Sequence, residues 1–301
     1  MPLLVSGSIG IDTVETPFGR ADEVLGGSAV YFAFAAALFA PVRLVGVVGD
    51  DFPARLRDGM SHERIDLAGL EVRRGSRTFR WHGRYSPDMN DRRTVDVQLN
   101  VLAEDGPRIP PAFRDSRYVF LANTHPALQR DLLGQLAGPR LAVCDTMDLW
   151  IKTQRAELLK TLAAVGGVVL NDGEARLLTD RADLVSAGRE ILGFGPRFVV
   201  IKKGEHGALL VTADRLCVVP AFCSDRVRDP TGAGDSFAGG MMGHLAAAGR
   251  HDVEALKAAL VRGTVAASFT IEDFSLNRLR TVGPEDVQRR IDAYMGMLPS
   301  P

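Results

Sequence analysis

Cysteine is scarce in this chain: three residues in 301, Cys144, Cys217 and Cys223. The count is odd and no paired CxxC spacing occurs, which argues against a disulfide framework and the common zinc patterns. Cys144 and Cys217 lie in apolar runs and are expected as buried thiols, which suits a reducing, cytoplasmic setting. No apolar run reaches the ~18–20 residues that span a bilayer. The opening stretch MPLLVSGSIGID has neither the basic start nor the long apolar core of a secretory signal, so no membrane partner is expected. Net charge is nearly absent as well: 36 Lys and Arg against 37 Asp and Glu leave −1. The basic excess that marks nucleic-acid binding is missing. Two nucleotide signatures are also missing. No GxxxxGK[ST] string occurs, and Gly232 and Gly234 are followed by Phe237 where a dinucleotide fingerprint needs its third glycine. The polar CSDRVRDP before them is not strand-like. A P-loop enzyme and a Rossmann dehydrogenase are both disfavoured.

What is present is an ordinary globular composition, 46% hydrophobic and 24% charged, arranged as alternating strands and helices. PLLVSGS, VRLVGVVGDD, SRYVFLAN, RLAVCDT, GGVVLND and RFVVIKKG are short apolar runs that end in polar residues. Between and around them lie helix candidates: the Ala-rich GGSAVYFAFAAALFA, residues 126–137 and 154–165, and a closing amphipathic GPEDVQRRIDAYMGML. Such alternation predicts a parallel sheet covered on both faces. Ligands of such sheets bind at the C-terminal strand ends, where Asn123, Asp145, Asn171, Lys202 and Lys203 fall. Strand alternation lets only one of the two lysines face inward. Residues 70–101 break the pattern. TFRWHGRY and TVDVQLNV flank a turn-rich SPDMND, which predicts an antiparallel hairpin apart from the main sheet. Trp81 and Tyr85 favour a mobile lid over a structural edge. His82 and His206 are expected at surface turns.

The stretch DPTGAGDSFAGG carries the sharpest chemistry. Thr231, Gly232, Ala233 and Gly234 lack bulk, so backbone amides can approach a ligand closely. A helix starting near Asp235 points its free N–H groups and positive dipole end at the same place. The result is an anion hole suited to a transferring phosphoryl group. Asp235 beside it reads either as a base for an attacking hydroxyl or as a helix N-cap.

DPTGAGDSFAGG closely resembles the DTxGAGD signature of the ribokinase-like (PfkB) carbohydrate kinase family. Other segments resemble the family's motifs in order: GSIGID with Asp12, LGGSAVYFAFAAA with Gly26 and Gly27, NDGEA with Asn171 and Glu174, VIKKGEHGALL with Lys202 and Gly204, and GTVAASFTIEDFS. The resemblance covers nearly the whole chain. It implies a single three-layer α/β domain over 1–301, with a mainly parallel sheet and a β-strand lid formed by about 13–24 and 70–101. It implies an ATP-dependent kinase that phosphorylates a primary hydroxyl of a small sugar, with a nucleoside kinase as the alternative. Asp12, Gly26, Gly27 and Asn123 would meet the acceptor. Asn171 and Glu174 would hold Mg²⁺ through water. Lys202, Gly204, Thr231, Gly232 and Gly234 would meet ATP. Gly232, Ala233 and Gly234 would cradle the phosphoryl, and Asp235 would take the proton. Asp229 matches a monovalent-cation position, so K⁺ is an open expectation, although IEDFS does not match the usual glycine-containing loop. Family members often pair through the lid, so a homodimer is a further expectation.

The match departs at Tyr31, where sugar kinases of this kind carry asparagine. A tyrosine either packs within its helix or contacts the acceptor, and a ring there, like Trp81 in the lid, could stack on a nucleobase. Arg80, Arg84, Arg92 and Arg93 are either a solvated face or a site for a phosphate already on the substrate. His125 in LANTHP is expected to border the acceptor pocket.

Overall fold

The computed structural model describes residues 1–299; residues 300 and 301 of the expected 1–301 domain lie outside the described residues. Thirteen strands are present among them. Nine form one sheet: β1 (Leu3–Ser6), β4 (Val42–Gly49), β5 (Ile65–Arg73), β8 (Tyr118–Leu121), β9 (Leu141–Asp145), β10 (Gly167–Asn171), β11 (Phe198–Lys202), β12 (Ala208–Thr212) and β13 (Leu216–Val219). Their spatial order is β13-β12-β11-β10-β9-β8-β1-β4-β5. The strands from β5 to β11 run parallel, while β12 and β13 continue the sheet antiparallel. Four strands form a second sheet, ordered β3-β2-β6-β7: β2 (Gly10–Thr16), β3 (Gly19–Gly26), β6 (Phe79–Tyr85) and β7 (Arg92–Gln98).

The helices are α1 (Ser28–Ala37), α2 (Ala54–Asp58), α3 (Pro126–Gly134), α4 (Asp148–Thr153), α5 (Arg155–Ala164), α6 (Asp172–Thr179), α7 (Leu184–Leu192), α8 (Ala233–Ala248), α9 (Val253–Thr270) and α10 (Pro284–Met297). The near-continuous apolar runs of the parallel strands are explained by burial on both faces. Leu3 and Val5 enter one core with residues of α1, α8, α9 and α10, while Leu4 enters the other with residues of α3, α5, α6 and α7. Val169 and Val200 belong to the first core, and Val168, Leu170, Val199 and Ile201 to the second. This period-2 division makes the three-layer α/β architecture expected from the sequence.

Helix α1 is buried along its whole length, as its apolar composition all round requires. It packs on α8 through glycines: a Cβ at Gly243 would stand 2.7 Å from the Ala36 carbonyl oxygen, and one at Gly239 would collide with that of Phe32. These contacts fix the start of α8 over the sheet.

The small sheet stands over the C-terminal strand ends. The chain passes from the end of β1 into β2 and from the end of β5 towards β6. The segment read as 70–101 therefore begins too early, because residues 70–73 finish β5, paired to β4 in the large sheet. The hairpin itself is β6 and β7, antiparallel as expected. The companion segment, read as 13–24, extends to the full β2–β3 pair. His82 is not at a turn: it lies within β6, its Nε2 2.8 Å from Glu15 Oε1. His206 does sit in a turn, Gly204–His206. Cys144 is fully buried, as expected, whereas Cys217 on the edge strand β13 is only half-buried and Cys223 is exposed.

Candidate active site

A cleft of about 1610 Å³ opens between the small sheet and the C-terminal strand ends. Its floor is set by alternation. On β9, β10 and β11 the residues facing α8 are Val143, Val169 and Val200; two positions on, the same face ends in Asp145, Asn171 and Lys202, which all line the cleft. Lys202 is thus the inward lysine of the pair, and Lys203 does not line the cleft. A Cβ on Gly234 would lie 2.8 Å from Lys202 Nζ, so the ammonium rests directly against the glycine turn.

That turn precedes α8. Gly232 adopts φ +76, a left-handed conformation suited to glycine, and its Cα abuts the Tyr31 ring so closely that a Cβ would enter it. No side chain caps the helix, so its N-terminal amides keep their anion-binding capacity. Asp235 in the first turn is pushed up to about 6, chiefly by burial, against the opposing pull of Lys202 and Arg92. Thr231 N–H donates to Asp229 Oδ1 at 2.8 Å, while Asp229 Oδ2 is buried without a partner.

Asp12 occupies the opposite wall, 4% exposed. The glycine pair explains its place: a side chain at Gly26 would overlap the Asp12 carboxyl. Burial, with Asp229 nearby, raises Asp12 to about 7, and the Gly27 N–H opposes the rise. Asp12 Oδ1 has no partner. Trp81 stands beside Asp12 in the β2–β6 register, and the Arg92 guanidinium lies over its ring at 5.2 Å. Tyr31 is fully buried with its hydroxyl unpaired; burial, then Asp229 and Asp12, push that phenol well above its usual range. The ring is packed, and its face towards Gly232 is occupied.

The other expected residues divide clearly. Asn171 Oδ1 accepts from Glu174 N–H and Glu174 Oε2 accepts from Asn171 N–H, both at 2.7 Å, forming a capping box at the start of α6. Asn123 lines the cleft, but Trp150 Nε1–H donates to its Oδ1 at 2.9 Å and its Nδ2 faces Met147 Sδ. His125 caps α3 through Nδ1 and packs edge-on to Trp150, ring centroids 5.2 Å apart. Arg80 pairs with Glu23 and Asp51, and Arg84 with Glu15, so Arg92 is the arginine of the hairpin that lines the cleft. Gly204 lines the cleft beside Glu205, which accepts from Asn90 Nδ2 of the hairpin at 3.2 Å. Tyr85 makes the second bridge, its hydroxyl 3.2 Å from Thr231 Oγ1.

Sequence reading placed Asp145 among the ligand-facing strand ends but gave it no specific task, and it gave none to Trp150. The signal for Asp145 was available: a polar residue at a strand end, in the same parity as Asn171 and Lys202.

The family model described as pfkB family carbohydrate kinase matches residues 140–279. A cytidine kinase of Thermococcus kodakarensis is 31% identical over 80% of this chain and 87% of the relative. Among solved structures, a Burkholderia thailandensis nucleoside kinase in complex with inosine superposes with TM-score 0.79 at 20% identity, covering 99% of this chain and all of that one. An aminoimidazole riboside kinase from Salmonella enterica, complexed with aminoimidazole riboside and an ATP analogue, gives TM-score 0.76 at 18% identity, covering 97% of this chain and all of that one.

Proposed function

The chain belongs to the pfkB family of carbohydrate kinases and is a kinase acting on a hydroxyl group of a sugar or nucleoside; we propose that its acceptor is a ribonucleoside, phosphorylated at the primary hydroxyl with ATP as donor. The observation that carries this choice is the pairing of Asp12 with Trp81 in one register position. A carboxyl suited to ribose hydroxyls stands next to an indole suited to a planar base. The relative named a cytidine kinase and the two solved kinases with bound ribosides support it. A substrate that already carries a phosphate is less well served, because Arg80 is held by Glu23 and Asp51 and Arg84 by Glu15.

In this reading Asp12 holds ribose hydroxyls and sets the primary hydroxyl towards Asp235. Asp235, ionised, accepts the hydroxyl proton as the oxygen attacks the γ-phosphorus. The amides of Gly232, Ala233 and Gly234, with Lys202 and Arg92, balance the charge of the transferring group; positioning and charge stabilisation supply most of the rate. The adenine of ATP fits the slot between residues 221–225 with Val227 and the α9 residues Thr264, Ala267 and Ser268, all of which line the cleft. Glu174 keeps one carboxylate oxygen outside the capping box, and Asn171 keeps its amide nitrogen, a donor suited to water or phosphate. That set fits Mg²⁺ held through water, which supplies charge neutralisation of the phosphates. The orphaned Asp229 Oδ2 fits a monovalent cation such as K⁺. The small sheet acts as the lid, and the Tyr85–Thr231 and Asn90–Glu205 contacts are its closed-state bridges. Closure over the cleft excludes water and limits ATP hydrolysis.

The test is a panel of ribonucleosides, free pentoses, hexoses and sugar phosphates, scored by ADP release with product identification. Turnover of nucleosides, cytidine among them, with product at the primary hydroxyl is expected. Turnover of free sugars alone would reverse the acceptor assignment.

A further inference from the structure

Asp145 ends β9 and has no part in the scheme above. It is 5% exposed and its Oδ1 has no hydrogen-bond partner. The contact made to this residue by Gln129 Nε2 goes to its backbone oxygen, at 3.2 Å. Folds rarely leave a buried carboxylate oxygen unpaired, because desolvation without compensation is costly. Asp145 shares its face with Asn171 and Lys202, on neighbouring strands about 4.8 Å apart, and that face meets the N-terminus of α8. Burial, then the Asp235 charge, raises its pKa well above the usual range, while Lys202 pulls the other way; its surroundings therefore include both signs of charge. Among the described residues no three Asp, Glu, His or Cys side chains are arranged to hold a metal ion by themselves. A dication here must bring other ligands, as Mg²⁺ does with water and phosphate oxygens.

From this placement we infer that Asp145 holds, together with Glu174, the divalent cation that accompanies the nucleotide, either directly or through one of the ion's waters. The inference rests on the ATP-dependent reading above and adds a carboxylate outside the Asn171–Glu174 motif. The orphan oxygen gains its partner only when the metal–nucleotide pair enters. Asn171 completes the row as a donor to the same water or phosphate shell.

The experiment titrates Mn²⁺ into the full chain with ADP and reads unbound Mn²⁺ by electron paramagnetic resonance, for the wild type and Asp145→Asn. Metal-free ADP binding is measured alongside by calorimetry. The expected result is a Mn²⁺ affinity lowered about tenfold or more, in line with lost metal-orienting groups, with metal-free ADP binding retained. Unchanged Mn²⁺ affinity overturns the inference. So does an equal loss of ADP affinity with and without metal, which would make Asp145 a support for Lys202 only. Should Asp145→Asn fail to fold, wild-type crystals grown with ADP and Mn²⁺ decide by anomalous scattering. A peak about 2 Å from an Asp145 oxygen, or about 4 Å through one water, supports it; a peak beyond about 6 Å overturns it. A wild-type chain that binds no ADP at all would sink the donor assignment itself, a failure distinct from the others.

Discussion

Carboxylates around the cleft and one on the small sheet outside its lining are treated in opposite ways. On β2, outside the cleft lining, Glu15 is saturated: it accepts from Arg20, His82 and Arg84, and hydrogen bonds from Arg84 and His82 hold its carboxyl at about 2. On the cleft side Asp12, Asp145 and Asp229 each keep a buried oxygen without a partner, and burial pushes Asp12 and Asp235 up to about 7 and 6. Charges that pair with each other at a surface hold a shape and contribute modestly. Charges buried without partners are costly to the fold, and they gather where a ligand is to be received.

The strongest way to break this comparison is Asp235→Asn. Turnover should fall about 10²–10⁴-fold, the usual range for a lost general base, with ATP-analogue binding kept. Near-normal phosphorylation by this variant would remove Asp235 from the chemistry. Next comes Gly234→Val, whose side chain would push aside the Lys202 ammonium and crowd the anion turn. Turnover should drop about 10²-fold, with the melting temperature nearly unchanged because the displaced group is the flexible end of a lysine. Unaltered kinetics would mean that the turn does not receive the phosphoryl group.

A pH profile sharpens the contrast further. Both Asp12 and Asp235 are raised, so each takes up its proton at a higher pH than an ordinary carboxylate near 4. Since the proposed role of Asp235 needs its ionised form, kcat/KM should decline as pH falls through 7 to 6 and then about tenfold per unit below. A profile flat down to pH 5 would contradict the raised values. The smallest effect is expected outside the cleft lining, at Glu15. Glu15→Gln loosens a solvent-screened cluster, so kcat should stay within about twofold and the melting temperature within a few degrees. A collapse of activity in that variant would show that the small sheet's ion pairs carry more than shape.

Much of this was legible in the residues, for physical reasons that can be named. Doubly buried parallel strands read as plain apolar runs, so β1, β4, β8, β9, β10 and β11 stood out, each with its polar end. The glycine turn before Asp235 is legible because small side chains there have few other uses. The partnership of neighbours was not legible. Nothing in LANTH says that Asn123 would give both ends of its amide to Trp150 and Met147, which lie 27 and 24 positions away. The burial of Tyr31 against Gly232 joins residues 201 positions apart, and the sequence left its packing and its stacking equally open. β5 and β6 follow each other with only a short turn-forming stretch between, so the point where the chain leaves one sheet for the other was misplaced. His82 alternates within a strand whose pairing with Glu15 depends on a separate segment.

Helix α1 begins at the glycine pair that gives Asp12 its room, and its fourth residue, Tyr31, supports Gly232 from beneath. One rigid rod, locked on every side by the core, therefore carries both the proposed seat of the acceptor and the proposed seat of the migrating phosphate. Their separation cannot adjust as substrates arrive. Under the proposed reaction, alignment of the two reactants is built in during folding, and motion in the catalytic cycle is left to the small sheet that covers them.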